Sequence, residues 1–181
     1  MPGAKRKPGR AAPPDQLELV VANRQRARAL NTPLMREMAH ALLKECLGIT
    51  TCQLGVYLVS AKQIAHINEK FLGHAGPTDV IAFDYTTPDS QPARAGKPSR
   101  SRKHILWGDV LICVDEAVRQ APRFNTTWQA ELVRYLVHGV LHLLGHDDHT
   151  PTARRKMKNA EARLLRQISR RFALADLERA D

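Results

Sequence analysis

Long apolar runs are absent from this 181-residue sequence. No run reaches the roughly 18 residues that a helix needs to cross a bilayer, so we expect no membrane span. The first sixteen residues, MPGAKRKPGRAAPPDQ, contain no apolar segment of the signal-peptide kind and too much proline for an amphipathic transit helix. We therefore expect a cytoplasmic protein.

Cysteine is also scarce. The chain has three cysteines, which is an odd number, and Cys46, Cys52 and Cys113 follow neither a zinc nor a redox spacing. Each lies among aliphatic residues, which predicts buried free thiols rather than disulfides or a cysteine metal site. No internal repeat is present either, so the sequence does not indicate a repeat architecture.

Acidic residues are nearly missing from three basic segments, residues 1–10, 86–103 and 151–171. Together these segments hold 17 of the 28 Lys and Arg residues and two of the 18 acidic residues. The rest of the chain is mildly acidic. Clustered charge of one sign favours a polyanionic partner, with RNA as the first candidate. The candidate RNA-binding residues are Arg94, Lys97, Arg100, Arg102, Lys103, Arg154, Arg155 and Lys156.

The hydrophobic content of 43% is enough for one domain with a sizeable core. We expect a basic disordered tail at 1–15 and a single metal-dependent hydrolase domain at 16–181, with a basic loop at 86–103. Apolar periodicity predicts the elements. Strands are predicted at 17–23, 53–60, 78–85 and 107–114, and helices at 32–48, 61–73, 127–144 and 152–174.

This order of elements predicts an α+β fold, with a small mixed four-stranded sheet packed with about five helices. The first predicted helix would have Thr32 as its N-cap, Pro33 at its first position and Gly48 just beyond its end.

The stretch VHGVLHLLGHDDH, residues 137–149, combines metal-ligand residue types with an apolar helical pattern. His138 and His142 are four apart and therefore share one helical face, where burial would be unfavourable unless both rings were satisfied. Gly145 permits the chain to turn, so that Asp148 can return to the same point. Two imidazoles and a carboxylate can hold Zn²⁺ and leave a position open for water. His149 competes with Asp148 for the third position.

A glutamate is missing where zinc proteases have one. In the H-E-x-x-H motif the residue after the first histidine is the general base, and here that residue is Gly139. The zincin-like helix therefore predicts a metal centre that activates water or polarises a phosphoryl oxygen without that base. His146 and Asp147 are the nearest acid–base candidates in the sequence.

Three motifs carry a resemblance to a known family. The histidine motif HGVLHLLGHDD, together with GPTDVIAF at 76–83 and WGDVLI at 107–112, resembles the YbeY family of bacterial endoribonucleases. The resemblance implies a zinc-dependent, single-strand-specific endoribonuclease with one Zn²⁺ per chain. It further implies ribosomal RNA and the ribosome or its small subunit as partners, with roles in maturation of the 16S rRNA 3′ end and in late-stage ribosome quality control.

The chain departs from the family pattern at two positions. Asp148 occupies the place of the family's usual third histidine ligand, and we favour Asp148 over His149 because its register matches. Leu72 stands where the family usually has an arginine, so the resemblance implies that another cation must replace it.

Two alternatives remain at the level of the sequence. One is a zinc peptidase whose base comes from elsewhere in the chain. The other is a ribosome-associated binding factor in which the zinc is structural, a reading favoured by the missing glutamate and arginine beside abundant basic residues. Catalytic activity distinguishes them.

Overall fold

The computed structural model of the protein describes residues 16–86 and 105–179. The predicted tail at 1–15 lies outside the described residues, as does the basic loop apart from Thr86. No helix in the described part of the chain combines the length and apolar character that a bilayer crossing needs.

Four strands form one mixed sheet, as the sequence predicts. The strands are β1 (Gln16–Asn23), β2 (Thr51–Val59), β3 (Val80–Asp84) and β4 (Ile105–Cys113). Their order in the sheet is β1-β2-β4-β3, with β1, β2 and β4 parallel. The edge strand β3 runs antiparallel to β4 and pairs Phe83 with Asp109.

Five α-helices in the described residues complete the α+β fold, in agreement with the expected number. They are α1 (Thr32–Ala41), α2 (Ala61–Ile67), α3 (Val114–Gln120), α4 (Trp128–Leu143) and α5 (Pro151–Arg171). The helices α1 and α2 continue as π-helical turns over Leu42–Cys46 and Asn68–Leu72. Short 3₁₀ turns cover Ala121–Phe124 and Leu174–Leu177.

The sequence pattern missed α3 and misplaced one cap. The helix α3 begins directly at the end of β4 without a side-chain cap and has only seven residues, so it offers too little periodicity to detect. The predicted strand at 107–114 accordingly ends at Cys113. The N-cap of α1 is Asn31, not Thr32, because the Asn31 side chain accepts a hydrogen bond from the Leu34 amide.

The main core lies between one face of the sheet and the helices α1, α4 and α5. It contains Val110 and Ile112 from β4 and Met157, Leu164 and Ile168 from α5. Strand residues alternate between the two faces, so Leu111 and Cys113 instead join a smaller cluster with Ile64 of α2. The sheet is therefore covered unequally on its two sides.

Two of the three cysteines are buried, as expected. Burial raises the pKa of the Cys52 and Cys113 thiols to about 11, which keeps them protonated and unreactive. The expectation was wrong for Cys46, which is only partly buried at the end of the first π-helical turn. All three are free thiols.

Gly139 brings α4 unusually close to the sheet. A Cβ at this position would lie 2.5 Å from Val110 Cγ1 and 3.1 Å from Val80 Cγ2. The first distance is shorter than carbon atoms in contact allow and the second is tight, so a side chain at this position would require the helix or the Val110 side chain to move.

Substitution Gly139→Ala should lower the free energy of unfolding by about 1–3 kcal/mol, because the added methyl overpacks the interface with β4. Urea denaturation followed by circular dichroism measures the change. Replacing Val110 by alanine removes the atom in closest contact, so Gly139→Ala should be less destabilising in a Val110→Ala background. Equal destabilisation in both backgrounds would contradict the steric explanation.

Candidate metal centre

The two histidines lie near the end of a helix that is otherwise almost wholly buried. His138 and His142 are half-buried, while Gly139, Val140 and Leu141 between them are buried. Because the residues are one turn apart on α4, their rings meet edge to face, with ring centroids 4.6 Å apart and planes at 81°. The apolar surroundings thus present two imidazoles on a single accessible face.

Hydrogen bonds to the far nitrogen of each ring determine its tautomer. His138 Nδ1–H donates to Glu161 Oε2 at 2.9 Å, and His142 Nδ1–H donates to the His146 carbonyl at 3.1 Å. Carboxylate and carbonyl oxygens can only accept, so in the neutral rings both protons are on Nδ1. Both Nε2 atoms therefore present lone pairs.

The two Nε2 lone pairs face each other across 3.0 Å. Two lone pairs at this distance repel unless a cation lies between them. The pKa of His142 is lowered, mainly by burial and secondly by the neighbouring His138. A proton is therefore disfavoured as the cation between the two nitrogens at neutral pH. Tetrahedral zinc, with Zn–N bonds near 2.0–2.1 Å, would place such nitrogens about 3.3 Å apart. The donor pair therefore fits a metal ion.

Asp148 joins the two histidines in space. Ligand atoms of His138, His142 and Asp148 all lie within 4.8 Å of one another. The turn that allows this return contains Gly145, at φ +82°, and the His146 amide donates to the Leu141 carbonyl at 3.0 Å. One carboxylate and two imidazoles form a donor set suited to zinc.

His149 is grouped differently. Its side chain is 90% exposed and its Nε2 lies 3.6 Å from Asp147. It forms a second candidate group with Asp147 and Asp148, not with the two helical histidines.

Glu161 on α5 supports this centre and was not predicted from the sequence. Besides accepting from His138, it lies 3.6 Å from Arg134, which also pairs with Glu131. Carboxylates that bind the far nitrogen of a metal-ligating histidine fix its ring orientation and raise its basicity. The sequence contained one sign of this role. Glu161 is an acidic residue on the apolar side of a strongly basic helix, at helical spacing from Met157, Leu164 and Ile168.

Neither acid–base candidate from the sequence has a clear geometric role for its side chain. His146 is exposed and contributes its backbone carbonyl to His142. The hydrogen bond from the His149 amide holds the pKa of Asp147 below its usual range, away from the near-neutral value that suits a general base. Gly139, where zinc proteases have their glutamate, faces β4 and β3 at a distance that admits no side chain.

Part of the predicted RNA-binding set lies beside the centre. Arg154 Nε donates to the Asp148 carbonyl at 3.2 Å, while Arg155 and Lys156 are exposed on the same first turns of α5. Leu72, in the family's arginine position, is 48% exposed. The loop residues lie outside the described part of the chain; they are Arg94, Lys97, Arg100, Arg102 and Lys103.

The fold and this donor set define a small α+β protein with a candidate metal centre at the end of a buried helix. The sequence model described as Endoribonuclease YbeY matches residues 20–169. The chain therefore belongs to the YbeY family of endoribonucleases, which confirms the resemblance seen in the sequence.

This chain is similar to several relatives and to solved structures, of which three examples follow. The Endoribonuclease YbeY of Chlorobium luteolum is 32% identical over 79% of this chain and 86% of its own length. That of Salinispora tropica is 31% identical over 82% of this chain and 94% of its own length. The solution structure of the Thermotoga maritima protein TM1509 has a TM-score of 0.59 at 22% identity, covering 90% of this chain and 97% of that one. This structural likeness supports the fold.

Replacing Glu161 by glutamine should weaken metal binding about 10- to 100-fold, because a neutral amide accepts the His138 Nδ1–H bond less strongly and orients the ring less firmly than a carboxylate. Competition with a chromophoric zinc chelator measures the affinity directly. Glu178→Gln, which changes an exposed carboxylate on the C-terminal side of α5, is the matched control. Unchanged zinc affinity in Glu161→Gln would show that this carboxylate serves helix packing alone.

Proposed function

We propose that this protein is a zinc-dependent, single-strand-specific endoribonuclease that binds one Zn²⁺ through His138, His142 and Asp148. The observation that carries the proposal is the pair of facing Nε2 lone pairs, 3.0 Å apart and next to a carboxylate. Membership of the YbeY family supports phosphodiester cleavage as the reaction.

Different residues of the chain have different roles around the proposed zinc ion. When bound, zinc supplies Lewis acidity and lowers the pKa of a coordinated water. Glu161 and the His146 carbonyl orient the two imidazoles. Arg154 lies on the segment that carries Asp148, where its guanidinium can bind an RNA phosphate and offset negative charge. The proposal assigns the role of general base to no side chain.

The proposed partners follow from the charge and the family. Single-stranded RNA is the substrate class, with ribosomal RNA and the small ribosomal subunit as the biological target. The basic residues of the 86–103 loop and of α5 would bind phosphates in this scheme, Arg155 and Lys156 included. The reaction would be maturation of the 16S rRNA 3′ end and ribosome quality control, and it would take place in the cytoplasm with the ribosomes.

The two other functions are less well supported. A peptidase would need a general base near the metal. The close packing of Gly139 leaves no room for a glutamate there, and the His146 and Asp147 side chains have no geometric role at the centre. A binding factor with a structural zinc would need a closed site, whereas three protein ligands leave one position open.

The purified wild-type protein should contain about one equivalent of zinc and cleave single-stranded RNA in preference to duplex RNA. His142→Ala should lose most of the metal. It should reduce cleavage by more than the roughly 10- to 100-fold expected when a residue that only orients a ligand, such as Glu161, is replaced. Elemental analysis and gel-based cleavage of a labelled oligoribonucleotide measure both quantities.

The matched control is His40→Ala, which removes an exposed histidine from α1. Cleavage that survives both chelation and His142→Ala would contradict a metal-dependent reaction. Zinc-dependent cleavage of peptides but not RNA would favour the peptidase, and tight RNA binding without cleavage would favour the binding factor.

The third ligand is tested by comparing Asp148→Ala with His149→Ala in zinc titrations. We expect Asp148→Ala to weaken zinc binding and His149→Ala to leave it nearly unchanged, because His149 is almost fully exposed. Carboxylate oxygen is a harder ligand than imidazole, so Mn²⁺ should also occupy the wild-type site more readily than an Asp148→His site. The reverse order of the two alanine variants would assign the third position to His149.

A further inference from the structure

A cleft separate from the metal centre lies on the face of the sheet opposite α4. It has a volume of about 530 Å³, and its floor consists of residues from β2, β3 and β4, including Tyr57, Phe83 and Asp109. Phe71 and Tyr85 line its sides. None of these residues belongs to the metal centre, so the cleft needs its own explanation.

Aromatic side chains dominate this cleft. Four of the nine aromatic residues in the chain line it. Phe71 is 61% exposed and packs edge-to-face on Phe83 with ring centroids 5.8 Å apart, while Tyr85 is 42% exposed. Exposed aromatic rings gathered in one concave surface indicate a binding site rather than a part of the core.

Cations lie at the rim and one carboxylate lies at the floor. The Arg24 guanidinium is 4.6 Å above the Tyr57 ring, and Lys70 Nζ is 5.4 Å from the Phe71 ring centre. Asp109 Oδ2 accepts a hydrogen bond from the Tyr85 hydroxyl at 2.9 Å. Asp109 is only half-buried, so its carboxylate can accept further hydrogen bonds.

Gly55 creates the room for that carboxylate. A Cβ at position 55 would lie 2.2 Å from Asp109 Oδ1, so any other residue would displace the Asp109 side chain. A glycine in the interior of a strand otherwise weakens the strand, which is consistent with a requirement for space at this point.

We propose that this cleft binds unpaired bases of a single-stranded RNA, as a docking subsite separate from the metal centre. This proposal rests on the function proposed above. Aromatic faces stack on any base, the rim cations bind flanking phosphates, and the Asp109 carboxylate accepts a base N–H. The pairing of exposed aromatic rings with the rim cations Arg24 and Lys70 favours a nucleic-acid strand over a protein partner.

The position of the cleft suits one RNA strand contacting both sites. Leu143, at the end of the histidine helix, approaches Gly108 on one face of β4, within 2.9 Å of where a Cβ would lie. The next residue, Asp109, faces the cleft on the other side. Because β3 is the edge strand, RNA can pass around this edge from the cleft to the metal centre.

The experiment measures affinity for a fluorescein-labelled, single-stranded octaribonucleotide by anisotropy, using full-length zinc-loaded protein. Readings are completed while gel electrophoresis shows that the probe is still intact. Phe71→Ala removes an exposed ring and should weaken binding about 5- to 150-fold, the range for losing one stacked base. Phe124→Ala, which removes a ring that is 64% exposed outside the cleft, should bind as wild type.

A second variant tests the rim. Arg24→Gln should weaken binding and reduce the slope of log affinity against log salt by about 0.7, the value for one phosphate contact to a single strand. Arg26→Gln removes a nearby exposed charge and serves as control. Zinc content should equal that of wild type in all four variants, because none of them touches the metal centre.

The outcomes separate the two proposals. If wild-type protein binds and cleaves RNA while Phe71→Ala and Arg24→Gln bind it unchanged, the cleft proposal is overturned and the proposed function stands. Equal losses of RNA affinity in the Phe71→Ala and Phe124→Ala variants would also overturn the cleft proposal. It would likewise be overturned if Phe71→Ala and Arg24→Gln bound RNA as wild type but lost binding to a protein partner. A wild-type protein that neither binds nor cleaves RNA would overturn both.

Discussion

The contact of Gly139 with Val110 and Val80 determines how the rest of the site is arranged. It presses α4 against the strands β3 and β4 and thereby determines which residues of that helix face the sheet. His138 and His142, on another face of the same turns, are left at the surface between α4 and α5. The same contact excludes a glutamate at position 139, so the packing that builds the centre also separates its chemistry from that of zinc proteases.

The centre is held together by hydrogen bonds to groups outside the donor set. Glu161 and the His146 carbonyl both accept from Nδ1 atoms, and this leaves two lone pairs in opposition. Arg134 balances the negative charge of Glu161, which is mostly buried. The arrangement is therefore unfavourable without a cation and satisfied with one, which is the usual condition of a site built for metal.

Local pattern was enough to predict most of the fold and the helical part of the site. The spacing of His138 and His142, and the turn at Gly145, can be recognised because helix geometry is regular and local. For Glu161 the sequence shows only an acid on the apolar side of α5; its contact with His138 depends on how α5 packs across α4, which no local pattern gives. The aromatic cleft was not predicted either, because its aromatic residues come from separate strands and loops that only the sheet order brings together. The short helix α3 was missed for lack of periodicity.

The hydrogen bond between His138 and Glu161, with the ion pair between Arg134 and Glu161, joins two helices that are otherwise held by apolar contacts. Any ion that binds the folded centre more tightly than the unfolded chain stabilises the fold, by an amount that grows with the logarithm of its concentration. Because Glu161 belongs to α5 and bonds to His138, this stabilisation extends to the packing of α5 on α4. Packing of α5 and binding of the metal would therefore strengthen each other. Loss of the ion would then expose α5 to local unfolding and proteolysis, and metal supply would influence the lifetime of the protein as well as its chemistry.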